Sequence, residues 1–328
     1  MNTLVDTYGR IHRNLRVSLT DRCNLRCTYC MPNDFAAWLP SEHQLTTDEL
    51  VRVIEIAVSE GINEVRLTGG EPLLRPDIVE IVSRINAITN APTLTMTTNA
   101  LTLEKVAKPL VDAGLTRINI SLDTLDRDRF KLMTHRDRID DVFAGIKAAQ
   151  DAGIDPIKIN AVLLKGVNAD EAPALLEWAL ANNLALRFIE QMPLDAGGIW
   201  ERSSLVTADD IYADLSTRYE LAPCDGRGSS PAEEFFVNGG PATVGIIGSV
   251  TRPFCGACDR LRLTSDGQLR SCLFSLEEMD LRTAMRNGAS DEDIAARFRK
   301  TVAGKLPGHG INDPKFIQPQ RPMSAIGG

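Results

Sequence analysis

From about Leu15 to Met192 the chain alternates short β-rich runs with amphipathic helical stretches, and few folds satisfy that alternation. The runs are Leu15–Thr20, Glu64–Gly69, Thr93–Thr98, Arg117–Asp123, Lys158–Leu164 and Ala185–Met192. Helical periodicity predicts helices over Thr47–Glu60, Leu103–Ala113, Val142–Ala152 and Asp170–Asn183. Gly61, Gly114 and Gly153 each close a helical pattern and precede a strand, as glycines past helix C-termini do. Six βα units of this kind build a parallel sheet, either a doubly wound one or a barrel.

Side-chain alternation discriminates between these. Successive strand residues point to opposite faces. One face carries Arg16, Ser18, Thr20, then Arg66, Thr68, then Thr95, Thr97, Asn99, then Asn119, Ser121, Asp123, then Lys158, Asn160. The other carries Val17, Leu19, Val65, Leu67, Leu94, Met96, Ile118, Ile120, Ile157 and Ile159. A sheet covered by helices on both faces is apolar throughout, and a small closed barrel fills with bulky aliphatic side chains. A polar, partly cationic face fits neither. The expected fold is α/β, an incomplete (β/α)6 TIM-type barrel with a large polar ligand in its lumen. Arg16, Arg66, Thr97 and Lys158 are expected to face one cavity.

After about Leu221 the pattern changes. Cys224–Pro231 is rich in Gly and Ser and reads as a loop. β-like pieces follow at Thr243–Ile247, Arg260–Thr264 and Leu269–Phe274, then a helical stretch near Asp291–Val302. Two domains are expected, 1–220 and 221–328, the second covering the barrel's open side. With 36 Lys and Arg against 44 Asp and Glu, the net charge of −8 disfavours general binding to nucleic acid or anionic membranes. Any anionic ligand therefore needs locally gathered cations. No apolar run approaches the roughly 18 residues of a membrane span, and a cytoplasmic protein is expected.

Seven cysteines fall in groups of three, one and three. In a reducing cytosol such groups point to metal or redox chemistry rather than disulfides. Cys23, Cys27 and Cys30 have the spacing C-x3-C-x2-C and lie where the first strand ends, the end at which parallel α/β folds build their sites. A cubane cluster normally takes four thiolates, so three leave one iron open. A zinc site completed by a distant fourth ligand is the plainer alternative. Cys255, Cys258 and Cys272 give C-x2-C-x13-C, again three thiolates with no histidine in the loop. Between them Arg260 and Arg262 share a strand face, suiting a phosphate or carbonyl ligand. An ordinary solvated edge strand would also alternate charge in this way.

The loop from Thr20 to Met31 resembles the signature of the radical S-adenosylmethionine superfamily, as does Thr68-Gly69-Gly70-Glu71-Pro72. That resemblance implies that Cys23, Cys27 and Cys30 hold a [4Fe–4S] cluster whose fourth iron binds S-adenosylmethionine. It further implies that Tyr29, Gly70, Ser121 and Met192 contact that cofactor. The C-terminal triplet with Arg260-Leu261-Arg262 is similar to one branch, which rearranges GTP at the start of molybdenum cofactor biosynthesis. The similarity also runs through Tyr8-Gly9-Arg10, Ile120–Asp123, Arg187–Glu190 and the terminal Gly327-Gly328. Likeness to this branch implies a second [4Fe–4S] cluster on Cys255, Cys258 and Cys272. GTP would be held by Arg16, Arg66, Thr97, Lys158, Arg260 and Arg262, and the catalytic set would be Arg260, Arg262, Gly327 and Gly328. The implied partners are a low-potential electron donor and, functionally, the pyranopterin monophosphate synthase that acts next, and a homodimer is compatible with it. Ala100 and Asp259 depart from the branch's usual Gly and Asn. The rival readings are another superfamily enzyme with an auxiliary cluster, such as a peptide-modifying maturase, or a non-catalytic metal sensor.

Overall fold

The computed structural model describes residues 3–31, 38–195, 198 and 200–327. Six strands lie side by side in chain order, all parallel: β1 (Asn14–Ser18), β2 (Glu64–Thr68), β3 (Thr93–Thr98), β4 (Arg117–Ser121), β5 (Ile157–Val162) and β6 (Ala185–Ile189). Between them run α1 (Thr47–Ser59), α2 (Ile78–Asn86), α3 (Ala107–Asp112), α4 (Arg127–Thr134), α5 (Ile139–Asp151) and α6 (Ala172–Ala181). After β6 come α7 (Ala208–Leu215), then β7 (Leu221–Pro223), β8 (Glu233–Val237), β9 (Thr243–Ile247), β10 (Arg260–Leu263), β11 (Gln268–Arg270) and β12 (Met279–Asp280). The chain finishes with α8 (Arg282–Arg286), α9 (Asp291–Ala303) and α10 (Met323–Ile326).

The later strands extend the sheet at both edges. β10 adds in parallel to β1 and β9 in parallel to β6, and β11, β12, β8 and β7 continue outward antiparallel. One sheet of twelve strands results, with β12 and β7 at opposite ends, so the barrel is incomplete and its gap is flanked by C-terminal strands.

The apolar strand face makes the core. Val17, Val65, Leu67, Met96, Ile118, Ile120, Ile159 and Phe188 are all fully buried. Burying one such side chain is worth about 1.5–3 kcal/mol. A register slip of one residue would put the arginines under the helices instead, so this sum fixes which face looks inward. Helix starts are locally specified: capping boxes link Thr46 with Glu49, Thr207 with Asp210 and Ser290 with Asp293.

Five helices escape the periodicity reading: α2, α4, α7 and the short α8 and α10. α2 buries Ile78, Ile81, Val82 and Ile85, a helical stripe that was legible. α4 buries only Phe130, Met133 and Thr134, too sparse a pattern to see. α7 is likewise short, burying Ala208, Ile211 and Leu215. The stretch predicted as one helix over Leu103–Ala113 is a 3-10 turn (Leu103–Lys105) followed by α3. Pro109 has no N–H to bond Lys105, so it suits only the first turn of a helix that starts afresh. Ala100 holds φ 63, a left-handed conformation that glycine adopts at less cost.

Candidate active site

Sheet register builds the site. Arg262 on β10 lies opposite Arg16 on β1, which lies opposite Arg66 on β2. Three guanidinium side chains thus stand abreast on strands about 4.8 Å apart. Like charges directly opposite one another destabilise a sheet. Glu64 relieves Arg66 at 3.1 Å, but Arg16 and Arg262 have no carboxylate partner among the described residues. Arg16 Nε, Arg66 Nε and Arg260 Nη2 are shielded from water yet bonded to nothing. Burial, then the neighbouring Arg262 and Arg66, push Arg16 well below its usual range, and burial brings Arg262 down to about 10. Arg16 and Arg262 are thus left to the sulfurs of Cys258 and Cys272 and to an anion from outside.

Farther along the sheet Thr97 on β3, Asn119 on β4 and Lys158 on β5 are register neighbours on the same face. Burial, reinforced by Arg187, pushes Lys158 down to about 8. Arg16, Arg66, Thr97, Lys158, Arg260 and Arg262 all line one cavity of about 640 Å³, within the usual range of roughly 300–1,000 Å³ for small-molecule sites.

Both cysteine triplets open onto that same cavity. The first loop leaves β1 and is docked by Arg26 N and Thr28 N on the carbonyls of Thr134 and Met133. Gly69 and Gly70 press against it: a Cβ on Gly70 would sit 2.3 Å from Arg22 O and 2.5 Å from Asp21 O. Gly70 N donates to Thr20 O and Glu71 N to Arg22 O, both at 2.7 Å. The glycine pair therefore serves close approach of backbone to the cysteine loop. Glu71 is spent on structure, accepting from Thr98 Oγ1, Asn99 N and Leu73 N. Tyr29 donates its hydroxyl to Asp123 at 2.7 Å. Burial pushes Cys23 up to about 11 and Cys30 up to about 12, with Cys23 and then Asp123 adding to the latter. These sulfurs ionise only for a cation brought among them.

The second triplet has the opposite surroundings. Burial pushes Cys258 up, but Arg260 and Lys305 outweigh it and bring it down to about 7. Arg10, held by Asp6 at 2.5 Å, donates to Cys255 O at 2.8 Å and to the carbonyls of Leu306 and Pro307. This ties the N-terminal segment to the cysteine loop.

Residues 17–179 match the model of the radical SAM superfamily, and residues 184–311 match that described as Molybdenum Cofactor Synthesis C. A GTP 3′,8-cyclase from Streptomyces coelicolor is 57% identical over 100% of this chain and 97% of its own length. One from Mycolicibacterium smegmatis is 53% identical over 99% of this chain and 92% of its own. The chain belongs to the GTP 3′,8-cyclase family. Among solved structures, Streptococcus suis SuiB bound to S-adenosylmethionine superposes with a TM-score of 0.61 at 14% identity, covering 83% of this chain and 64% of that one. At that identity the likeness concerns the fold.

The match to the Streptomyces coelicolor relative covers 100% of this chain. Arg262 Nη1 donates to Gly327 O, so the tail lies against the arginine row. Gly327 has φ 86, and a Cβ there would come within 2.7 Å of Thr68 Oγ1, a tight, left-handed position that admits little but glycine. Gly328 lies outside the described residues. Gly70, Tyr29, Ser121 and Met192 line the cavity between the triplets, whereas Cys224 does not line it. Arg117, Arg227, Ser229 and Ser230 line it too and were not foreseen. Arg117 shares strand parity with Asn119 and Ser121 and was readable from that. The Arg227–Ser230 stretch carries no local signal of where it folds. No helix of the described residues is long and apolar enough to cross a membrane.

Proposed function

We propose that this protein converts GTP to (8S)-3′,8-cyclo-7,8-dihydroguanosine 5′-triphosphate, the opening step of molybdenum cofactor biosynthesis. The observation that carries the reading is the joint lining of one cavity by both cysteine triplets and the arginine row. The close relatives named GTP 3′,8-cyclase support it over the full chain. Residues 1–220 would form the radical-generating barrel and 221–328 the substrate-anchoring domain.

The donor sets suit iron–sulfur clusters better than zinc. Each set offers three thiolates, one short of the four protein ligands of a structural zinc site. A cubane spreads its thiolates over separate irons, so Cys23, Cys27 and Cys30 would hold one cluster and Cys255, Cys258 and Cys272 a second. S-adenosylmethionine held at a cluster on Cys23, Cys27 and Cys30 would supply radical chemistry able to take hydrogen from C3′ of the ribose. Gly70, Tyr29, Ser121 and Met192 would seat that cofactor.

The chain's own part is to bind and orient. Arg16, Arg66 and Lys158 present charge to the triphosphate, where charge-assisted bonds are the strong ones, and Thr97 adds a hydroxyl. Arg260, whose guanidinium lies 4.8 Å over the Phe254 ring, and Arg262 border the second triplet. Arg262 and Gly327, joined by their hydrogen bond, would act at the reacting end, and Gly328 would belong to the same catalytic set. A reductant of low potential and the pyranopterin monophosphate synthase would stand before and after this protein. A peptide substrate gains no support from the row of guanidinium groups, which calls for a polyanion.

The test is anaerobic turnover with GTP, S-adenosylmethionine and dithionite. Stoichiometric 5′-deoxyadenosine and the cyclised triphosphate are expected, and absence of 5′-deoxyadenosine ends the proposal. An iron count of about eight per chain separates two cubanes from one.

A further inference from the structure

Lys305 follows α9 and is only 4% exposed. Its ammonium donates to Arg260 O at 2.7 Å and to Cys258 Sγ at 3.5 Å. Among the described residues it makes no ion pair with a carboxylate. Asp6 is already engaged by Arg10 at 2.5 Å and His12 at 3.0 Å. The other charges acting on Lys305 are the cations Arg10 and Arg260 and the sulfurs of Cys258 and Cys272. A buried ammonium without an anion is costly. The one kind of anion that this corner can offer is a thiolate of the C-terminal triplet, and thiolates are what a bound cluster creates.

Among the described residues no ammonium bonds a sulfur of the N-terminal triplet; the nearest cation, Arg26, donates to the carbonyl of Cys23 at 2.7 Å. The group reaching Cys23 Sγ is the neutral amide of Asn99, at 3.8 Å, and the buried carboxyls of Glu71 and Asp123 lie beside those cysteines. Hydrogen bonds to cluster sulfurs and nearby charge set cluster potentials. A cation stabilises the reduced, more negative cluster, and an acid opposes it.

We propose that Lys305, beside Arg260, is a charge-compensating positioning residue of the C-terminal triplet, holding its thiolates and raising the reduction potential of the cluster there above that of the N-terminal cluster. This rests on the two-cluster reading of the proposed function. The design makes physical sense of the pair. Reductive cleavage of S-adenosylmethionine needs a strongly reducing centre, and a substrate-facing centre of higher potential stays reduced beside it.

The experiment compares the full reconstituted chain with Lys305→Met and Lys305→Arg. Irons are counted, and both clusters are titrated by EPR at poised potentials. The same pair in a background with Cys23, Cys27 and Cys30 replaced by Ala isolates the C-terminal signal. Lys305→Met is expected to keep about eight irons and to lower the reduced-to-oxidised ratio of the C-terminal cluster at least tenfold at fixed poise, a shift of about 59 mV. The N-terminal signal should not move, and Lys305→Arg should recover most of the shift. Loss of the C-terminal cluster in Lys305→Met but not in Lys305→Arg also supports the proposal. An unchanged potential overturns it, as does equal behaviour of the two variants, which would mean packing rather than charge. A wild-type count of about four irons fails the two-cluster reading itself, whatever the variants do.

Discussion

Replacing Arg16 with methionine should move stability and substrate affinity in opposite directions. Arg16 stands between Arg262 and Arg66 in register, and its Nε has no partner. Two like-charge neighbours at roughly 0.2–1 kcal/mol each imply a gain of about 0.4–2 kcal/mol when the charge is removed. Methionine keeps most of the side chain's length and its packing. At about 2–4 °C per kcal/mol for a large domain, the ligand-free Tm should rise by a few degrees. Affinity should fall instead, because charged hydrogen bonds are worth about 1.5–3 kcal/mol, or about 10- to 150-fold in Kd. Anaerobic calorimetry measures both, as a thermal scan without GTP and a titration with it. A lowered Tm with unchanged GTP affinity would refute the reasoning, since Arg16 would then be a strut of the sheet and not a ligand-facing charge.

Lys158 titrates at about 8, so GTP affinity should weaken as pH rises through 8, and Lys158→Gln should flatten that profile. The sign for stability is the reverse: between about 8 and the unfolded value the unfolded chain binds more protons, so ligand-free stability should rise with pH there. Gly70→Ala puts a Cβ against the backbone of Asp21 and Arg22. The expected outcome is loss of the N-terminal cluster, read as a fall to about four irons per chain with the fold retained by circular dichroism. Removing Gly327 and Gly328 frees Arg262 from its tail contact; iron content should hold while turnover drops at least tenfold, and full turnover would remove the tail from the reaction.

How much of this was readable before folding depends on the range of each interaction. The inward face was readable because strand side chains alternate with period two, a local property that sets Arg16 and Arg66 on one side and Val17 and Leu67 on the other. The cysteine loops were readable because ligand spacing within a loop is local as well. Several elements were missed because their signal is weak: α4 buries three side chains, and the turn before α3 depends on one proline.

Other features had no local trace at all. That β10 pairs with β1, and so sets Arg262 beside Arg16, depends on a sheet order joining residues far apart in the chain. The same order brings the two triplets to one cavity and carries Gly327 to Arg262. Lys305 looks like any lysine after a helix until Arg260 and Cys258 close around it. Strand parity and loop spacing act over a few residues, so composition and order suffice to specify them. Which strand neighbours which, and which charge is left buried without a partner, emerges only when the whole apolar face is satisfied at once.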